Sequence, residues 1–385
     1  MTSPEKPLAG LHIVEVSSFV ASPLAGLTLS QLGADVIRID PIGGAADVNR
    51  WPVTDQGESI YWSGLNKGKR SITADLRSET GQSLVQRLVT DPVDGGGILL
   101  TNSAGRSWMS HETLSASRPD VITCEILGRT DGTPGVDYTV NAGLGFPMIT
   151  GPVENAGTVN HVLPAWDVAC GLYAALAISA AVRRREQIGV GAHITLPLED
   201  TALSIASTLG FLTEPQVNGQ GRTGTGNDVY GTYGTDFVAA DGVRFMIVAL
   251  TPRHFRDLVE LTEVGEAVAA VEKALGADFR TEDDRFTHRA VLTALFEPWF
   301  ARHDSTEVVV ALRSSSVLWE RYQSFDEVVA SGRLASNPMF AELDQPLIGT
   351  FLAAGHPAAF DGEHYFTGPA PKLGADTPAT SSTVE

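Results

Sequence analysis

The sequence predicts an α/β protein whose first half is a mostly parallel sheet with helices on its faces. Strand-like and helix-like runs alternate from residue 11, and the alternation recurs to residue 127. A glycine-rich stretch then separates this half from a shorter region of mixed pattern. Leu11–Val16 (LHIVEV) is an apolar, β-rich run, Pro23–Leu32 has helical apolar spacing, and Asp35–Asp40 (DVIRID) is a second strand closed by Pro41 and Gly43–Gly44. Together they make one βαβ unit. Thr80–Val89 continues as a helix, and Ile98–Asn102 and Val121–Leu127 as strands. Sheets of this type bind ligands at the carboxyl ends of their strands.

Ala165–Arg185 is the strongest helix signal, rich in Ala and Leu and ending on Arg183, Arg184 and Arg185, which complement a helix C-terminus. Six glycines, from Gly219 to Gly234, mark a connector or a ligand-covering loop. Beyond it, Val243–Leu250 is β-like, while Arg253–Leu261 and Arg289–Arg302 are amphipathic helices. The small, polar residues 375–385 are expected to fray.

Composition limits the functions. The 385 residues carry 27 Lys and Arg against 46 Asp and Glu, a net charge of −19, which repels polyphosphate backbones and anionic membranes. The first seventy residues hold 6 basic and 7 acidic side chains, so almost all the excess acid lies beyond them and a small anion fits best there. Two cysteines, Cys124 and Cys170, form no disulfide framework. The first ten residues lack an apolar signal core, and the longest apolar run, Val168–Val182, is too short to span a bilayer. A cytoplasmic protein is expected.

The first βα turn, Ser17–Gly26, has a single glycine where a dinucleotide fold carries three, so NAD is not expected and Asp40 reads as a strand end. Gly64–Arg70 (GLNKGKR) lacks the spacing and hydroxyl residue of a Walker loop. Its cations Lys67, Lys69 and Arg70 form either a solvated basic turn or a phosphate site. No metal-ligand spacing and no Gly-x-Ser-x-Gly elbow occurs, so no metal is expected.

Asp167 stands in HVLPAWDVAC (161–170), directly before the long helix. A helix N-terminus favours the anion and lowers its pKa, while Trp166 and Val168 exclude water. Such a carboxylate is a candidate nucleophile towards an activated acyl group, although the residues alone favour an ordinary Asp N-cap. His161 is a base or a loop residue.

At these residues the chain resembles the class III CoA-transferases, a family that includes formyl-CoA transferase and α-methylacyl-CoA racemase. The matching stretches are residues 7–40, NKGKRSITADL (66–76), 163–185, GVGAHITLPLEDTAL (189–203) and PAPKLGADT (369–377), in family order over nearly the whole chain. The resemblance implies a Rossmann-like large domain built from both chain ends, a smaller α+β domain and an interlocked homodimer. The expected division is 1–210 for the first part of the large domain, 211–234 for the glycine-rich linker, 235–330 for the small domain and 331–385 for the return. CoA is expected as part of the substrate, with no tightly bound cofactor. Asp167 aligns with the catalytic aspartate, which forms an aspartyl anhydride and then an aspartyl-CoA thioester. Phe19, Val20, Ala21, Arg38, Asn102 and Arg106 match CoA-contacting positions, and Lys67, Lys69 and Arg70 are added as candidate phosphate ligands.

Where the family's racemases place a His-Asp pair, this chain has Val136-Asp137, and valine moves no proton. RWPVT (50–54), VDYTVN (136–141) and VNHVLPAWD (159–167) resemble a branch that moves CoA between the C1 and C4 carboxyls of mesaconate, a single C5 diacid. Retaining the free diacid makes the transfer intramolecular. Tyr138, His161 and Arg106 are candidates to hold the second carboxylate. An intermolecular transferase acting on a short diacid, a racemase and a catalytically silent CoA-binding protein are the alternatives.

Overall fold

A computed structural model describes residues 6–103, 105–153 and 157–378. Six parallel strands, β1 (His12–Val16), β2 (Asp35–Pro41), β3 (Arg70–Ala74), β4 (Ile98–Thr101), β5 (Ile122–Leu127) and β6 (Ala192–Pro197), form one sheet in the order β3-β2-β1-β4-β5-β6. The order reverses between β1 and β4, the place where such sheets open a crevice. Between residues 21 and 208 the α-helices are α1 (Ala21–Gln31), α2 (Ile60–Leu65), α3 (Glu79–Thr90), α4 (His111–Ser117), α5 (Asp137–Ala142), α6 (Phe146–Ile149), α7 (Ala165–Ile188) and α8 (Leu198–Thr208).

Two units divide the chain: residues 1–144, 161–219 and 332–385, and residues 145–160 with 220–331. The segment 145–160 was expected inside the first part of the large domain. It groups with the second unit because Val159 donates to the Pro147 carbonyl at 3.0 Å, folding the segment on itself, and because Gly224 and Gly226 lie against Ile149 and Val153. In the second unit β7 (Tyr233–Val238), β8 (Arg244–Ala249) and β9 (Leu318–Arg321) form an antiparallel sheet over a core that includes Tyr233, Phe245, Phe255 and Phe296. The antiparallel hairpin of β10 (Phe340–Gln345) and β11 (Gly349–Ala354) belongs to the first unit.

Residues 375–385 were expected to fray; 379–385, like 1–5, lie outside the described residues. Asp376 and Thr377 are tied down. Asp376 exchanges 2.8 Å hydrogen bonds with Ser71 at the edge of the sheet, and Thr73 N–H donates to Thr377 Oγ1 at 2.9 Å.

Two glycines set the approach of α1. A Cβ on Gly26 would lie 1.9 Å from Glu15 Oε2, and a Cβ on Gly171 would lie 2.6 Å from the Ala21 carbonyl oxygen. The first lets α1 cover a buried charged network on the sheet. The second lets the head of α1 meet α7 one turn after Asp167.

Candidate active site

The network under α1 consists of Glu15, Arg38, Asp40, Asp47, Asn66 and Lys69, each at most 4% exposed. Arg38 forks onto both oxygens of Asp40 at 2.9 Å and reaches Asp47 at 3.2 Å and Asn66 at 3.1 Å. Lys69 Nζ meets Glu15, the Pro23 carbonyl and Asn66 within 2.9–3.1 Å. Burial pulls the Lys69 ammonium down to about 8, against the pull of Glu15. Burial also works against the Arg38 charge, yet Asp40, Glu15 and Asp47 outweigh it and hold the guanidinium above its ordinary value.

Arg38 and Lys69, suggested by the sequence as CoA ligands, thus turn their side chains to partners inside the protein. Arg38 does so from the middle of β2, and Lys69 from the residue just before β3. Arg70, the next residue, is half-exposed and faces Asp35 at 3.2 Å. Lys67 is half-buried beside a turn whose Gly68 N–H donates to the Pro369 carbonyl. The three cations do not converge on one phosphate site.

The first turn hangs on this network. Phe19, with φ 65°, donates its N–H to Asp47 Oδ2 at 2.9 Å, so Arg38 acts on the turn through Asp47. Asn102 clamps the turn from the other side, accepting from Ser18 N–H at 3.1 Å and donating to the Ser18 carbonyl at 2.7 Å. Val20 then N-caps α1, and Ala21 is its first residue. At the carboxyl ends of β1 and β2 a cleft of about 540 Å³ opens, lined by Ser17, Ser18, Ile39 and Ser103 with the exposed cations Arg77 and Arg106. Arg77 was missed, although it directly follows the stretch 66–76. A larger cavity of about 780 Å³ shares Arg106 and holds the stacked His111–His193 pair, but none of the groups around Asp167.

Asp167 is the third residue of α7, and it does not cap that helix. The N-cap position is Pro164, which offers no side-chain acceptor. Asp137, the first residue of α5 and 1% exposed, supplies the cap from thirty residues away: its Oδ2 accepts from Trp166 N–H at 2.7 Å and Asp167 N–H at 3.2 Å. Its Oδ1 meets His161 Nε2 at 2.6 Å. Trp166 Nε1–H donates to Asn141 Oδ1 at 3.0 Å, which locks the ring against α5. Tyr138 stands edge-on to His161 and donates to the Val162 carbonyl at 3.3 Å.

This corrects the expected charge state of Asp167. Burial and the neighbouring Asp137 carboxylate push its carboxyl up to about 6, and Arg50 opposes them. Above that pH the group is an ionised oxygen nucleophile of raised basicity, suited to attack an acyl carbon. Arg50 and Tyr61 complete this corner and were not foreseen. The Arg50 guanidinium lies 5.6 Å from the Phe19 ring and 5.3 Å from the Tyr61 ring. Burial drives the Tyr61 hydroxyl up to about 12, with Arg50 opposing and both Asp47 and Asp167 adding to the rise.

The site thus joins a half-buried carboxylate to a turn and cleft fit for an extended anionic ligand. The family model described as CoA-transferase family III matches residues 8–377. The chain belongs to CoA-transferase family III. Among curated relatives, 2-methylfumaryl-CoA isomerase of Chloroflexus aurantiacus is 44% identical over 374 residues, covering 96% of this chain and 91% of its own. Succinate–glutarate CoA-transferase of Agrobacterium fabrum is 27% identical, covering 89% and 87%. The crystal structure of a CAIB/BAIF family protein from Brucella suis has a TM-score of 0.79 at 26% identity, covering 97% of each chain. In this family III CoA-transferase, Asp167, His161 and Tyr138 come together around Asp137. Arg106 lies in the cleft at the strand ends, and Phe19, Val20 and Ala21 connect that cleft with the Asp167 corner.

Proposed function

We propose that the protein moves CoA within one molecule, interconverting the C1- and C4-CoA thioesters of mesaconate. The observation that carries this reading is the 44% identity, over nearly the full length of both chains, to 2-methylfumaryl-CoA isomerase. An Asp167 that is ionised near neutrality and partly shielded from water supports the chemistry.

In the proposed sequence Asp167 attacks the C1 carbonyl, the C–S bond breaks and the CoA thiolate leaves, giving a mixed anhydride. The thiolate adds to the Asp167 acyl carbon and displaces the diacid as a carboxylate, leaving aspartyl-CoA. The C4 carboxylate of the retained diacid attacks that thioester, forming a second anhydride and freeing the thiolate. Attack of the thiolate on C4 completes the new thioester and restores Asp167. Retention of the diacid gives the second half its high effective concentration. In this reading CoA enters as part of the substrate, with the turn 19–21, Arg77 and Arg106 as its proposed contacts.

A racemase needs a proton carrier on each face of the α-carbon. Val136 offers none, and Asp137 is occupied by the α7 backbone and His161. The second reading, transfer to an external short diacid, is favoured by the name of the Agrobacterium relative. Incubating one regioisomer alone separates the two: its partner forms without added acceptor under the intramolecular reading.

The interlocked homodimer is part of the proposal. Leu172, Tyr173 and Leu176 on α7 are 46–63% exposed, an apolar face that a second subunit would cover. Light scattering on the purified protein tests this, with twice the chain mass expected. Cytoplasmic location is proposed with it, in keeping with the free thiols Cys124 and Cys170, which burial pushes up to about 12.

A further inference from the structure

The geometry points to Arg50 as the residue that holds the distal carboxylate of the diacid while CoA is exchanged on Asp167. This rests on the proposed diacid substrate. Four observations carry it.

Position comes first. Gly171, one helical turn beyond Asp167, is in close contact with Ala21, so the turn 19–21 lies against the opening turn of α7. Arg50 stacks on Phe19 of that same turn. The guanidinium therefore belongs to the corner where the acyl group must sit, whereas Arg77 and Arg106 line the cleft at the strand ends.

Fixation comes second. Arg50 N–H donates to the Asp47 carbonyl at 3.1 Å, and the Arg50 carbonyl accepts from Ser59 Oγ at 2.6 Å. The guanidinium itself lies over both the Phe19 and the Tyr61 rings, 5.6 Å and 5.3 Å from their centres.

Availability comes third. Arg38 faces three carboxylates and is buried, while Arg50 is an exposed residue that closes no ion pair with a described carboxylate. The guanidinium shares a hydrogen bond with the Tyr61 hydroxyl, and the remaining donors of its planar fork suit bidentate capture of a carboxylate.

Competition comes last. The other proposed holders are already committed: His161 Nε2 to Asp137 and the Tyr138 hydroxyl to the Val162 carbonyl. Holding the distal carboxylate would keep the free diacid in place through the first half-reaction; exchange of the C1 carboxylate for C4 on Arg50 would then release C4 to attack the thioester on Asp167.

The test compares two esters in single turnover, read as aspartyl-CoA adduct on Asp167 by mass spectrometry. One is mesaconyl-C1-CoA; the other is 2-methylcrotonyl-CoA, in which a methyl group replaces the distal carboxylate. Arg50→Gln is expected to slow adduct formation about a hundredfold with the diacid ester and no more than about threefold with the monoacid ester. Arg50→Lys, which keeps the charge without the fork, is expected to fall between. Equal slowing of both esters by Arg50→Gln and Arg50→Lys, in variants that melt with the native protein, would overturn the assignment. The comparison is independent of isomerisation: if the native protein forms no regioisomer but shows the same ester discrimination, the intramolecular reading fails and the Arg50 assignment stands.

Discussion

Asp137 Oδ2 accepts the backbone N–H of Asp167 at 3.2 Å, so one buried carboxylate positions the main chain of another. The two side chains then repel, and burial adds to the effect, raising the Asp167 carboxyl from 3.8 to about 6. One residue thereby orders the start of α7 and increases the basicity of the group that α7 presents.

Replacing Asp137 separates these roles. Asp137→Ala leaves the Trp166 and Asp167 N–H groups without their acceptor and should lower stability by about 1–3 kcal/mol. Asp137→Asn keeps an acceptor and removes the charge, so the Asp167 titration should move down. Denaturant melts read the first effect, and the pH dependence of single-turnover adduct formation reads the second.

The pH dependence follows directly. Attack requires ionised Asp167, so adduct formation should rise with pH and level off above about 6. Arg50 favours the anion, so Arg50→Gln should shift this limb to higher pH with either ester. A limb near the ordinary carboxylate value would contradict the buried, charge-crowded site.

Asp167→Asn should abolish turnover and stabilise the fold at pH 8. The folded-state pKa is raised, so the fold favours protonated Asp167. That contribution is complete below about pH 4 and is lost as pH rises through about 6. After a discount for its partial exposure, the substitution should gain about 1–2 kcal/mol at pH 8. At pH 4 it should gain almost nothing. Thermal melts at the two pH values check the sign.

The cations should divide into two groups. Lys69→Met removes the nearest cation from buried Glu15, leaving Arg38 at 3.9 Å, and should cost about 3–5 kcal/mol of stability. Arg77→Ala and Arg106→Ala should leave stability within about 0.5 kcal/mol and raise the KM for a CoA thioester several-fold. The KM effect should shrink as salt is added.

The contrast between Lys69 and Arg70 shows where the sequence is legible. Runs with a strong period, such as those of β1, α1 and β2, appear within one or two residues of their expected places. As a candidate, Asp167 was visible in the sequence because Pro164, Trp166 and the apolar helix surround it locally. Its cap was not, since Asp137 is thirty residues away and belongs to a short helix with little periodicity. The direction of the Asp167 shift was misjudged for the same reason: the local helix end argued for a lower value, and a like charge brought in by the fold reversed it. Lys67, Lys69 and Arg70 form a cluster along the chain, but the fold buries Lys69 against Glu15 and leaves Arg70 exposed at the start of β3. Arg50 opens the RWPVT stretch, but nothing along the chain ties it to Asp167; its meaning comes from Phe19 and Tyr61, which only the fold brings beside it.

The most direct test of the intramolecular mechanism is to incubate unlabelled mesaconyl-C1-CoA with the enzyme and an excess of ¹³C-labelled free mesaconate, and to weigh the C4 ester formed. The diacid retained at Asp167 predicts an unlabelled C4 ester that accumulates at the same rate with or without the free acid. Label in that ester, or a C4 ester that forms only when free mesaconate is present, would contradict it.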